Sequence, residues 1–185
     1  MATWQLVQYV VTGITVGSIY AIVGLGFTII YSVTGIINFA QGEFVMLGGM
    51  IAFSLIGLGL PVPIALILSI GLVTLVGVVF NLVAIRPARR ASTITLIIIT
   101  IGGALLIRAI AGLGWGRGAV SLPPFTGDEP LSFLGAYVVP QSLWVMGTTA
   151  VLMVAFYLLL NRTLVGKALK AAAINRRAAA LVGID

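Results

Sequence analysis

The stretch from Leu6 to Tyr31 reads LVQYVVTGITVGSIYAIVGLGFTIIY and decides the fold. It holds no charged side chain, and a run of roughly 20 mostly apolar residues is long enough for an α-helix to cross the hydrocarbon core of a bilayer. Glu43 is the only charged residue that precedes Arg86 in the chain. Such a sequence needs lipid around it rather than water.

Four further apolar segments follow the same pattern. The 185 residues are 61% hydrophobic and only 8% charged, whereas soluble domains carry about 25% charge. We therefore predict an all-α, polytopic integral membrane helix bundle with about five transmembrane helices, organised as one transmembrane domain over residues 1–185. The predicted spans are residues 6–31, 44–60, 62–85, 94–111 and 143–160.

The residue types that are missing restrict the chemistry. The chain has no cysteine and no histidine, and it has four acidic residues against ten basic ones. A membrane-embedded enzyme would need metal ligands or a nucleophile with its base, and these residues scarcely supply either. The sequence therefore predicts no catalytic residue, no metal and no cofactor. The positive charge lies in short clusters between apolar runs, which indicates membrane topology rather than nucleic-acid binding.

The basic clusters predict the orientation of the chain. Lys and Arg are retained on the cytoplasmic side, and the residues after Ile85 and after Leu160 are strongly basic. By contrast, the Pro- and Gly-containing loop 112–130 has one Arg and two acids. We expect both basic segments inside, this loop outside and, counting back through three spans, the N-terminus outside. The basic residues are Arg86, Arg89, Arg90, Arg162, Lys167, Lys170, Arg176 and Arg177.

The segment Gly35-Ile-Ile-Asn-Phe-Ala-Gln-Gly-Glu43 interrupts the apolar pattern. A carboxylate at the bilayer centre costs roughly 2.5 to 3.5 kcal/mol, so Glu43 there would mark a substrate pathway or a polar partner. Residues 32–42 form either a cytoplasmic turn or a break inside the membrane. Asn38, Gln41 and Glu43 are accordingly candidates for the substrate path or its gate, and a buried polar knot is an equal alternative. Arg108 is expected to extend its side chain to the outer interface.

Small residues on the first helix predict close helix packing. Gly13, Gly17, Ala21 and Gly24 fall on one face at 100° per residue, which allows another helix to approach. A polar stripe on the opposite side predicts hydrogen bonds between helices more readily than contact with substrate.

Residues 162–185 form an alanine-rich, basic segment with high helix propensity. Its charge pattern fits two environments equally well. One is a shallow groove of a partner protein, and the other is an anionic membrane surface, which attracts each Lys or Arg with about 1 kcal/mol.

Four motifs resemble one family, the LivH-type permease subunits of branched-chain amino-acid ABC importers. They are GSIYA at 17–21, GIINFAQGE at 35–43, Arg86-Pro87 before Thr100-Ile-Gly102, and GKALKAAA through GID over 166–185. The resemblance implies import of leucine, isoleucine or valine across the bacterial cytoplasmic membrane, although permeases for urea or short amides look much alike. It also implies ABC ATPase subunits, a second permease subunit and an external substrate-binding protein as partners.

The resemblance further implies a coupling site for the ATPase. ABC importers carry Glu-Ala-Ala, three residues and Gly in a cytoplasmic loop, and Arg177, Ala178, Ala179 and Gly183 reproduce that spacing with Arg in place of Glu. Gly166 and Lys167 open the same segment. Because family permeases continue for several helices beyond this point, the sequence is expected to be an N-terminal portion.

An ion-coupled transporter or channel remains the alternative from another class. Such proteins are expected to show intramembrane carboxylates or inverted repeats. Glu43 could serve as the carboxylate, but no repeat is visible.

Overall fold

The computed structural model describes residues 3–116, 118–127, 129–133 and 136–183. Helices dominate it, and their bounds are α1 Thr3–Thr34, α2 Gln41–Gly57, α3 Val62–Phe80, α4 Thr93–Trp115, α5 Pro140–Arg162, α6 Leu164–Ile174 and α7 Arg176–Leu181. The predicted all-α membrane class is confirmed. The exception is a short antiparallel hairpin of β1, Leu131–Phe133, and β2, Ala136–Val138.

Four of these helices, α1, α3, α4 and α5, are long and apolar enough to cross a membrane within the described residues. The fifth apolar helix, α2, has 17 residues and is shorter than a usual span. It lies three residues earlier than the predicted span 44–60. Its end is set by a turn in which Gly59 adopts φ +88° and Pro61 precedes the first residue of α3.

The contacts divide the chain into two compact units. We call Gly35–Leu122 the inner unit because it lies between the two segments of the other unit in the sequence. Met1–Thr34 together with Pro123–Asp185 form the outer unit. The two names do not refer to sides of the membrane. Whether the chain works as one transmembrane domain stays a prediction.

The inner unit is built from α2, α3 and α4. Ser69 on α3 donates a 2.7 Å hydrogen bond to the carbonyl oxygen of Gly48 on α2. The Phe44 and Phe80 rings meet edge to face with centroids 5.9 Å apart. The Phe80 ring also covers Gly103 so closely that a Cβ there would overlap it. Because residue 103 is a glycine, α4 can pack closely against the Phe80 ring of α3.

The outer unit combines α1, the hairpin, α5, α6 and α7. The hairpin joins α1 where the backbone N–H of Tyr137 donates to Oε1 of Gln8 over 2.9 Å. Thr163 then ends α5 and caps α6, since its hydroxyl accepts from the Gly166 N–H at 3.0 Å. Asn175 similarly caps α7 by accepting from the Ala178 N–H at 3.0 Å. These two caps set the bends between the last three helices.

Candidate functional site: an ion pair beside a helix break

A short break separates α1 from α2. Residues 35–38 have no regular structure, and a turn at Phe39–Ala40 leads into α2. The Asn38 side chain shapes this turn because its Oδ1 accepts from the Ala40 N–H at 3.1 Å. The Asn38 carbonyl oxygen accepts from the N–H of Gln41, the half-buried first residue of α2. Asn38 thus has a local structural role, and its place on a substrate path stays a prediction, as does that of Gln41.

Thr100 of α4 holds the break in position. Its side chain is fully buried, and its hydroxyl accepts from the Phe39 N–H at 3.3 Å. The same hydroxyl lies 2.8 Å from the Ile97 carbonyl oxygen and 3.3 Å from that of Ile37. It has one proton to donate to these two acceptors. Backbone groups that leave the helical pattern are thereby satisfied by a side chain instead of water.

Replacing Thr100 by valine is expected to loosen the break. Valine keeps the shape but leaves the Phe39 N–H without its acceptor, and a buried unsatisfied polar group costs about 1–3 kcal/mol. Thermal unfolding of the purified chain in detergent should show a lower midpoint. Thr74→Val is the matched control, since within the described parts of the chain the exposed Thr74 bonds only the Ile70 carbonyl of its own helix. Equal midpoints for the two variants would contradict this role of Thr100.

Glu43 and Arg108 form an ion pair inside the inner unit. Glu43 lies in the first turn of α2, where the partial positive charge of the helix N-terminus favours a carboxylate. An Nη2 hydrogen of Arg108, on α4, is donated to Oε1 of Glu43. The Glu43 side chain is 8% exposed and that of Arg108 is 68% exposed. The pair therefore joins a buried carboxylate to a cation that keeps one side open.

The ion pair gives Arg108 a partner that was not predicted, and the extension of its side chain to the outer interface stays a prediction. Its position in α4 is seven residues before Trp115, which at 1.5 Å per residue is about 10 Å from that helix end. In the structure its guanidinium binds Glu43. In the sequence, this pair could have been recognised because Glu43 and Arg108 are isolated charges of opposite sign in apolar segments.

A cavity of about 1050 Å³ opens beside Arg108. All of its lining residues belong to the inner unit, and Arg108 is the charged residue among those the structure describes there. At the end of α4, the ring N–H of Trp115 donates a 2.5 Å hydrogen bond to Ser54 Oγ on α2. The apolar wall includes Val45, Met46, Met50 and Leu105, and the segment after α4 contributes Gly116 and Gly118 to Leu122.

The predicted packing face of α1 has no close neighbour in the described chain. A Cβ added at Gly13, Gly17 or Gly24 would find nothing within 4 Å, and Ala21 is half-buried. Packing of this face against another helix stays a prediction.

The predicted coupling residues fall into α6, α7 and the turn that follows. Gly166 is buried against the end of α5, while Lys167 is exposed. Ala178 is exposed, whereas Ala179 is only 3% exposed. Gly183 has φ +84°, a conformation that favours glycine. The side chain of Arg177 and residues 184–185 lie outside the described parts of the chain. Contact of these residues with an ATPase stays a prediction.

Comparison with known proteins gives the family. The family described as "Branched-chain amino acid transport system / permease component" matches residues 9–185. The high-affinity branched-chain amino acid transport system permease protein LivH of Escherichia coli K12 is 28% identical over 193 residues, which cover 96% of this chain and 62% of that protein. BraD of Pseudomonas aeruginosa, which bears the same description, is 28% identical over 197 residues, covering 98% and 64%.

A probable LivH permease of Methanocaldococcus jannaschii is also 28% identical, over 91% of this chain and 55% of that protein. The chain thus spans less than two thirds of the length of these curated relatives. No solved structure was found to match it. With its membrane-length helices and a family match over nearly all its residues, the chain belongs to the permease-component family of branched-chain amino acid transport systems and is a multi-pass protein of the bacterial inner membrane.

Proposed function

We propose that the chain is a permease subunit of an ABC importer that moves leucine, isoleucine or valine across the cytoplasmic membrane. Separate ATPase subunits supply the energy, an external binding protein delivers the substrate, and a second permease subunit completes the path. The chain itself transports and catalyses no reaction. The substrate class is inferred from the names of the relatives, and the contact with ATPase subunits is inferred from the helices that follow α5.

The observation that carries the coupling proposal is a set of exposed apolar side chains outside the membrane-length helices. Ile174 at the end of α6 is 87% exposed, and Leu181 and Val182 around the end of α7 are 88% and 75% exposed. Exposed apolar residues on the short helices that follow the last span are candidates for an interaction surface. By the positive-inside rule, Lys167 and the basic residues nearby favour the cytoplasmic side for this surface, which is where an ATPase would bind.

The burial of Ala179 refines how that surface would form. A small residue at 179 is required by packing within the chain itself, because its side chain is already covered. The exposed Ala178, Ala180, Leu181 and Val182 are therefore residues of α7 and its end that can contact an ATPase. Gly183 contributes through its backbone, since its N–H bonds the Ala180 carbonyl in a turn with positive φ.

The direct test is affinity purification of the chain, expressed from its own gene, from membranes in mild detergent. ATP-binding subunits should co-purify in stoichiometric amounts. Purification without any ATP-binding protein, together with retained uptake, would instead indicate an ion-coupled transporter or a channel.

Gly183→Trp is expected to release the ATPase subunits. A side chain at φ +84° strains the turn that ends α7, and its bulk would keep a partner surface away from the backbone. The double change Arg176→Ala and Arg177→Ala should affect assembly less, because surface ion pairs are typically worth about 0.2–1 kcal/mol. ATPase recovery in the same purification measures both. Retention by the tryptophan variant and release by the double variant would mean that charge holds the segment.

A further inference from the structure

We propose that Arg108 binds the carboxylate of the transported molecule in the cavity of the inner unit. This inference rests on the proposed function and adds the subsite that recognises one end of the substrate. Glu43 is then a positioning residue, which orients the guanidinium from behind and does not itself line the cavity.

The guanidinium of Arg108 has unused donors on its open side. Arginine carries five N–H donors in a planar fork, and the contact with Glu43 is made through Nη2. Among the described residues no second acceptor bonds this side chain, although 68% of it is exposed. A planar fork that is held by one carboxylate and open on another side suits a second carboxylate.

The remaining wall fits the rest of a branched-chain amino acid. Val45, Met46, Met50 and Leu105 surround the space next to Arg108 with aliphatic and thioether side chains. Methionine adapts its shape to several apolar partners. Ligand sites are typically apolar cavities of about 300–1,000 Å³ with a few polar groups that fix orientation, and this cavity is of that size.

The position and the charge balance suit transport. The cavity is lined partly by Gly116 and Gly118 to Leu122, a segment that the basic loops predict to face outside, where an importer receives substrate. Glu43 competes with an incoming carboxylate for the same cation. This competition weakens binding, and a transport site must bind its substrate loosely enough to release it.

The test measures binding by the purified chain, together with the subunits that co-purify with it, in nanodiscs of zwitterionic lipid and without the external binding protein. Radiolabelled leucine is displaced by unlabelled leucine or by leucinamide, which replaces the carboxylate with a neutral amide. Leucinamide should compete about tenfold or more weakly, as expected for loss of a charge-assisted hydrogen bond. Equal competition by the two compounds, or no leucine binding, would overturn the inference while leaving co-purification of ATPases to decide the proposed function.

Variants separate a binding cation from a merely structural one. Glu43→Gln frees Arg108 and should tighten leucine binding, with discrimination against leucinamide at least as strong as in the wild type. The neutral pair of Glu43→Gln with Arg108→Gln should lose the discrimination. Arg162→Gln, which removes an equal charge outside the cavity lining, should keep it. Weaker binding in Glu43→Gln, or retained discrimination in the neutral pair, would contradict the assignment.

One further variant keeps both Glu43 and Arg108. Leu105 lines the cavity three residues before Arg108 on α4, so a glutamate there lies on the same face and can occupy the guanidinium. Leu105→Glu should reduce discrimination much more than Leu105→Gln, which is of the same size and uncharged. Equal discrimination in these two variants would overturn the proposal.

The anion could also come from the phosphate of a lipid. Adding anionic phospholipid to the nanodiscs distinguishes the two sources. Leucine binding should not change by more than about fivefold, since electrostatic attraction to a lipid surface is about 1 kcal/mol per basic residue. Displacement of leucine by lipid in the wild type but not in the neutral pair would identify a lipid site and overturn the substrate assignment.

Discussion

Glu43→Gln is expected to reduce branched-chain amino-acid uptake about tenfold or more while the chain still accumulates in the membrane. The carboxylate is 8% exposed and bonded by Arg108. Glutamine has nearly the same shape and keeps a carbonyl oxygen for the guanidinium, so folding should survive. Loss of the charge removes the competition that would let a bound carboxylate leave, and hydrogen bonds to charged groups are worth about 1.5–3 kcal/mol.

Uptake of radiolabelled leucine and immunoblots of the membrane fraction measure the two quantities. Glu129→Gln serves as the control because Glu129 is an exposed acid in the loop before β1, and it should behave as the wild type. Unchanged uptake together with unchanged expression in Glu43→Gln would show that Glu43 is only an interfacial acid.

Gly166→Ala is expected to destabilise the outer unit and abolish most uptake. A Cβ at this position would overlap the Leu159 carbonyl oxygen and lie 2.5 Å from the Leu160 Cα. Both are backbone atoms of the last turns of α5, which cannot rotate away as a side chain could. Overpacking of this kind costs about 1–3 kcal/mol. It would shift α6, and with it the segment proposed to bind the ATPase.

Gly147→Ala on the same α5 is the matched control. An added Cβ there meets nothing within 4 Å, and alanine favours a helix over glycine by about 0.5–1 kcal/mol. The thermal midpoint in detergent should fall for Gly166→Ala and stay equal or rise for Gly147→Ala. A Gly166→Ala chain with the wild-type midpoint and normal uptake would show that α6 does not depend on this contact.

The helices could be predicted because the length of an apolar run is itself the physical requirement for a span. Val62–Ile85 illustrates this, since the predicted bounds coincide with the candidate span, whose last turn from Asn81 is a wider π-helix. The hairpin at Leu131–Val138 was missed, because three-residue strands carry too few alternating residues to distinguish them from a loop. The bounds of α2 were displaced because composition alone does not reveal where a turn with Asn38 starts a helix.

The candidate site could be predicted only in part. The isolated charge and the flanking glycines single out Glu43, which the structure places in the first turn of α2. Its partner Arg108 lies 65 residues away, so the pair depends on how α2 packs against α4, which local pattern does not encode. The same limit applies to Thr100, whose hydroxyl on α4 bonds backbone groups of the break before α2. It also applies to Ala179, which must be small because its side chain is buried within the chain.

ATP-driven import is tested most directly by leucine uptake into proteoliposomes that contain the chain, its co-purified subunits and the external binding protein. We expect that uptake requires ATP and persists after ionophores have dissipated the proton and sodium gradients. Uptake that needs no ATP and ceases when those gradients are dissipated would contradict it.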